Sequence, residues 1–275
     1  MITKDFVAGS PCWLDLGAPD VTAAASFYGT VFGWDFERYT GEDAPEGMEY
    51  GTLKQDGHAV GAIGKLTEEG ARSAWTLYFD TPDADATAQA VEKGGGSVRV
   101  PPMDAGDMGR MAQFTDPQGG QFAVWQPGKD RGLEAVDEPG TLCWTELMTT
   151  DSAAAKEFYG SLFDWQTSDM DLPGGGGVYS LITPAGLPED RMQGGLMQLP
   201  AEYLALNDGR PYWHPVFAVT DVDATAAKVT GNGGTLQMGP EDAEGVGRLA
   251  VCVDPAGADF VLLKPVEPAA GAATG

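Results

Sequence analysis

The chain is poor in histidine, cysteine and basic residues, and each shortage excludes something. Only two histidines occur in 275 residues, His58 and His214. A metal centre built mainly on imidazole has almost no material to draw on. The three cysteines, Cys12, Cys143 and Cys252, are too few for a disulfide framework and read as small buried hydrophobes. Lys and Arg number 16 against 41 Asp and Glu, a formal net charge of −25. Such a surface repels phosphate backbones, so no nucleic-acid partner is expected. No apolar run approaches membrane-spanning length, and none opens the chain. No membrane partner and a cytoplasmic location follow as expectations. The glycine runs at 94–96 and 174–177 lack the Lys-Ser/Thr step of a phosphate loop.

Repetition is what the sequence has in abundance. The stretch CWLDLGAPDVTAAASFYGTVFGWDF, 12–36, answers to CWTELMTTDSAAAKEFYGSLFDWQT, 143–167. Cys12, Trp13, Leu16, Asp20, Phe27, Tyr28, Gly29, Phe32 and Trp34 all recur 131 positions later. WTLYFDTPDADATAQAVEKGGG, 75–96, and GRMAQFTDPQGGQFAVWQP, 109–127, recur at an offset of 138. The second half has gained seven residues, placed around LPGGGG (172–177) and AGLPEDRM (185–192). Each copy has the length of one domain, and two copies are too few for a solenoid. The expected division is a first domain over 1–130, a linker over 131–140, a second domain over 141–266 and a disordered tail over 267–275.

Each half divides again. WLDL (13–16) alternates as a strand. Asp20 reads as an N-cap, followed by an amphipathic run with Ala24, Phe27, Tyr28, Val31 and Phe32 at helical spacing, and Gly33 ends it. Two β-like runs flank QDGH, a hairpin signal. The same order follows in 73–127, where Asp83 or Asp85 caps the helix and DPQGG turns between two strands. The units are therefore 11–66, 73–127, 142–199 and 211–265. The fold class is α+β, four βαβββ units pairing into two tandem half-barrels with the helices outside and a cup inside.

At this point the chain resembles the vicinal oxygen chelate superfamily of glyoxalases, bleomycin-resistance proteins and extradiol dioxygenases. The carriers are D-x(6)-FYG-x-x-F-G/D-W (Asp20 to Trp34, Asp151 to Trp165), F-x-x-x-D-x-DAT (Phe79 to Thr87, Phe217 to Thr225) and the DPxG turn (Asp116 to Gly119, Asp254 to Gly257). The resemblance implies glyoxalase-like half-barrels and a metal held by His, Gln or Glu on cup-facing strands. The corresponding positions hold Trp13 and Trp144, Thr76 and His214, and Ala123 and Val261. The strand ends VGAIGKL (60–66) and GGLMQLP (194–200) offer no acid or imidazole. His214 is the one retained ligand type, so no metal cofactor is expected.

Strand alternation places Trp13 with Asp15, and Trp144 with Glu146, on one face. Under the resemblance that face looks into the cup. Thr76, Tyr78 and Trp125 then line the first cup, and His214, Val216, Val261 and Leu263 the second. The candidate catalytic residues are Glu146, His214 and Asp15; the others are candidate ligand contacts. A carboxylate in an apolar wall is expected to have a raised pKa, suited to acid–base work. A structural role for Asp15 or Glu146 would instead pair it with backbone groups or with Arg110 or Arg248. The expected function is metal-independent acid–base chemistry on a small, largely apolar or aromatic metabolite: isomerisation, cyclisation, lyase or oxygenase-type tailoring. The alternatives are sequestration of a drug or metabolite, as bleomycin-resistance relatives do, and a metal enzyme with atypical ligands. The expected partner is a small-molecule ligand, and a monomer with packed halves is favoured over a dimer.

Overall fold

The computed structural model describes residues 1–40, 49–67, 72–172, 174 and 176–266. The expected tail over 267–275 and part of the LPGGGG run lie outside the described residues. The first half runs β1 (Pro11–Ala18), α1 (Val21–Phe32), β2 (Asp35–Arg38), β3 (Tyr50–Gln55), β4 (His58–Lys65), β5 (Ala74–Asp80), α2 (Ala84–Lys93), β6 (Ser97–Asp104), β7 (Gly109–Thr115) and β8 (Gln121–Pro127). The second runs β9 (Leu142–Thr149), α3 (Ser152–Phe163), β10 (Gln166–Asp171), β11 (Val178–Thr183), β12 (Gly194–Gln198), β13 (Tyr212–Ala218), α4 (Val222–Gly231), β14 (Thr235–Ala243), β15 (Gly247–Val253) and β16 (Asp259–Pro265).

Local chemistry sets these elements. The Asp20 carboxylate accepts the Ala23 N–H at 2.9 Å and starts α1. Asp83, Asp151 and Asp221 do the same for the other three helices. Gly33, at φ +83°, closes α1 in the left-handed region, and Asp164 takes that conformation in the second copy. Asp56 and Gly57, both at positive φ, turn the hairpin between β3 and β4.

Each half is one eight-stranded α+β sheet. The first has the order β2-β3-β4-β1-β5-β8-β7-β6, and the second repeats it as β10-β11-β12-β9-β13-β16-β15-β14. The two units of each sheet meet where β1 pairs antiparallel with β5, and β9 with β13. The expected tandem half-barrels are thus present.

Buried side chains of the strands and helices build one apolar core shared by both halves, which also takes in Tyr78 and Ala123. Phe79 packs 5.2 Å from Trp213, and Trp75 5.6 Å from Phe217, between ring centroids. Two buried polar bridges cross the same boundary. Tyr28 Oη donates to Asp254 Oδ2 at 3.1 Å and accepts from Trp75 Nε1 at 3.1 Å. Tyr159 Oη donates to Asp116 Oδ2 at 2.9 Å and accepts from Trp213 Nε1 at 3.0 Å. Trp34 and Trp165 each donate across to the backbone before the other half's first strand, at Gly140 (2.8 Å) and Gly9 (2.9 Å). The FYG and DPxG motifs therefore serve as more than helix and turn: their Tyr and Asp join the halves. Arg110 pairs with Asp85 and Asp104, and Arg248 with Asp223 and Asp242, on the surface. Neither partners Asp15 or Glu146, which corrects that expectation.

Candidate functional sites in the two cups

Strand period and register bring the sequence candidates together. Across β1 and β5, Asp15 stands opposite Thr76 and Trp13 opposite Tyr78. Tyr78 in turn neighbours Ala123 on β8, and Trp125 follows two residues on. In the second half Glu146 stands opposite His214 and Trp144 opposite Val216, which neighbours Val261 on β16. Leu263 follows Val261 on the same face.

In the first cup, Tyr78 Oη donates to Asp15 Oδ2 at 2.8 Å and accepts from Gln113 Nε2 at 3.2 Å. The Tyr50 hydroxyl lies beside the Trp13 indole, and burial pushes its pKa up. Burial pushes the Asp15 carboxyl up to about 6, against the weaker opposing pull of the Tyr78 hydroxyl. Asp15 thus behaves as a carboxylate in an apolar wall should.

The second cup is different. Trp144 Nε1 donates to Tyr179 Oη at 2.9 Å, and Tyr179 Oη donates to Glu146 Oε1 at 2.7 Å. His214 Nε2 meets Glu146 Oε2 at 2.8 Å, and its Nδ1 meets Asp259 Oδ2 at 3.0 Å. Arg72, from the first half, stands 3.6 Å from the other oxygen of Asp259. Burial works against a charged imidazole, but the two carboxylates outweigh it and raise His214 to about 9. Burial also opposes the charge on Glu146, yet the bonds from His214 and Tyr179 draw its pKa below the usual carboxylate value. The expectation of a raised pKa is therefore corrected for Glu146, because a buried cation sits against it. Both contacts fit an imidazolium that donates from both ring nitrogens.

Apolar walls flank that array. Val216 and Val261 form a small cluster separate from the main core, with Trp144, Leu249, Val251 and Leu263 packed against it and partly exposed. Asp259, Tyr179, Tyr50 and Gln113 belong to the cups although the sequence reading did not select them. Asp259 was reachable: it lies two residues before Val261, hence on the same face.

The resemblance implies a metal, and the donor set does not fit one. Both His214 nitrogens are taken by carboxylates, and the other positions at issue hold Trp144, Val261, Trp13, Thr76 and Ala123. Among the described residues, no group of three His, Cys, Asp or Glu side chains could hold an ion.

Known proteins resemble this chain over nearly its whole length. The family described as the Glyoxalase/Bleomycin resistance protein/Dioxygenase superfamily matches residues 12–124, and the Glyoxalase-like domain family matches residues 144–263. "Putative glyoxylase CFP32" of Mycobacterium bovis is 38% identical, with 95% of this chain and 97% of that protein covered. An anthracycline biosynthesis protein of Streptomyces peucetius is 36% identical, with 98% of each covered. In fold, the chain is similar to a 2,3-dioxygenase of Pseudomonas sp. KL28, at TM-score 0.63, 13% identity, and 96% and 95% coverage. The chain belongs to the Glyoxalase/Bleomycin resistance protein/Dioxygenase superfamily, with tandem glyoxalase-like domains.

Proposed function

We propose that the second cup carries out metal-independent proton transfer on a small, largely aromatic metabolite, with Glu146 and His214 as the working pair. The observation that supports this best is the bonded chain Tyr179–Glu146–His214–Asp259 on the cup face, beside apolar walls. A polycyclic, polyketide-like substrate suits those walls, and the Streptomyces relative is by name an anthracycline biosynthesis protein.

The residues define a balanced cycle. Glu146 takes a proton from one substrate atom while the His214 Nε2–H gives one to another. Glu146 is then neutral and so is the imidazole. The proton crosses the 2.8 Å contact from Oε2 to Nε2 and restores the ion pair. The net result is an isomerisation, with no co-reactant. Asp259 holds the ring and offsets its charge, and Tyr179 holds the other Glu146 oxygen.

The test is solvent exchange. Hydroxylated polycyclic aromatic ketones are incubated with the protein in D2O, and deuterium uptake is followed by mass spectrometry. Glu146→Gln and His214→Ala should each slow uptake about 100-fold or more while leaving affinity within a few-fold. Tight binding without exchange in the unaltered protein, with affinity governed by Trp144, would replace this reading with sequestration. That alternative draws on the same partly exposed wall of Trp144, Leu249, Val251 and Leu263.

A further inference from the structure

The two cups share a Trp and a carboxylate on their first strands, and they differ at the position opposite that carboxylate. Trp144 pairs with Tyr179 through its indole N–H, and Trp13 neighbours Tyr50 at the corresponding place in the first cup. Asp15 and Glu146 stand two residues further along the same strands. In the second cup the residue opposite the carboxylate is His214, a cation 2.8 Å away. In the first cup that register position is Thr76. The first cup has the carboxylate without that counter-charge.

Nothing else in the described structure supplies that charge. No Lys, Arg or His among the described residues acts on Asp15; its titration answers only to burial and to the Tyr78 hydroxyl. Arg110, on neighbouring β7, is taken by Asp85 and Asp104. The Tyr78 bond occupies Oδ2. Around the carboxylate stand the aromatic side chains of Trp13, Tyr50 and Tyr78, and both Trp13 and Tyr50 are partly exposed. Aromatic rings beside a lone carboxylate favour a weakly hydrated cation, through ring attraction and charge together. A compact metal ion would need several more oxygen donors.

We propose that the first cup binds an organic cation, a primary or methylated ammonium on a small, largely apolar ligand, whose charge takes the place that the His214 imidazolium fills in the second cup. This rests on reading the cups as small-molecule sites, and it assigns them different ligands: the second is internally neutralised, while the first awaits a positive charge.

Benzylammonium and its neutral counterpart, benzyl alcohol, are suitable probes, titrated by calorimetry at pH about 8, where Asp15 is ionised. Benzylammonium should bind with a Kd on the order of 1 mM, as its size allows, and benzyl alcohol at least about tenfold more weakly. Asp15→Asn should weaken benzylammonium by about tenfold or more and leave benzyl alcohol unchanged. Asp15→Glu should restore part of the discrimination, and melting curves identify a variant that has not folded. Because the surface is acidic throughout, the one-charge change at Asp15 isolates the cup from general attraction. Equal affinity for the two probes, no binding of either, or full benzylammonium affinity in Asp15→Asn would overturn the proposal. Failure here with second-cup deuterium exchange intact would sink this inference alone. Benzylammonium binding without exchange would sink the acid–base reading alone.

Discussion

Replacing His214 by glutamine removes a buried cation and leaves Glu146 and Asp259 to face each other without one. The folded imidazole titrates at about 9, against 6.5 for the free group. A raised value means the folded state holds the proton more tightly. The stabilisation is complete below about pH 6.5, falls above it and is gone beyond about pH 9. The interval from 6.5 to about 9, at ~1.4 kcal/mol per pH unit, is about 3 kcal/mol. His214 is only 2% exposed, so solvent screens little of it. Urea denaturation of both proteins from about pH 6 to about pH 10 reads the difference. His214→Gln should be less stable by about 3 kcal/mol at the acid end, and the gap should shrink as pH rises. A gap that does not change with pH, or none at about pH 6, would refute the imidazolium assignment.

Other consequences follow from the same geometry. Tyr159→Phe strips a hydroxyl from a buried bridge and orphans both Asp116 Oδ2 and the Trp213 N–H. It should cost about 2–3 kcal/mol in chemical denaturation, and Tyr28→Phe a similar amount. Asp15 is raised from 3.8 to about 6, so its burial costs nothing in charge below the lower value, and the penalty grows as pH rises and is complete above the higher. Asp15→Asn should therefore raise stability by about 1–2 kcal/mol at pH about 8, a figure reduced because the side chain is partly exposed, and by nothing near pH 3, where the carboxyl is protonated folded and unfolded alike. Asp259→Asn removes one of the two carboxylates that hold the His214 proton. It should lower the His214 titration midpoint by about one unit or more, measured by NMR.

Much of the fold was legible because it is written twice. The caps at Asp20, Asp83, Asp151 and Asp221, the hairpin at Asp56-Gly57 and the strand alternation are all local chemistry. Trp13, Trp144 and His214 stood at the positions that the family resemblance implies for ligands, and period-two alternation then put Asp15 and Glu146 on the same face. What escaped depends on pairing between distant strands. Asp259 reaches His214 across the parallel β13–β16 contact, and its repeat partner is Gln121, so no acid recurred to mark it. Tyr179 follows the inserted glycine run, where the repeat offset changes and its match to Tyr50 is blurred. The bridges Tyr28–Asp254 and Tyr159–Asp116 join motifs that each make local sense as helix and turn. The error over Glu146 came from treating the carboxylate alone: the wall is apolar, but the His214 proton sets its charge state.

With only two histidines, the central claim can be put to one spectrum. Heteronuclear NMR of ring-labelled histidine, followed from about pH 5 to about pH 10, separates buried His214 from His58, which is exposed at the start of β4. The account predicts a His214 imidazolium that keeps both ring N–H protons through neutral pH and titrates at about 9. A neutral His214 at pH about 7, or a midpoint at or below 6.5, would contradict the charged pair on which the proposed proton transfer depends.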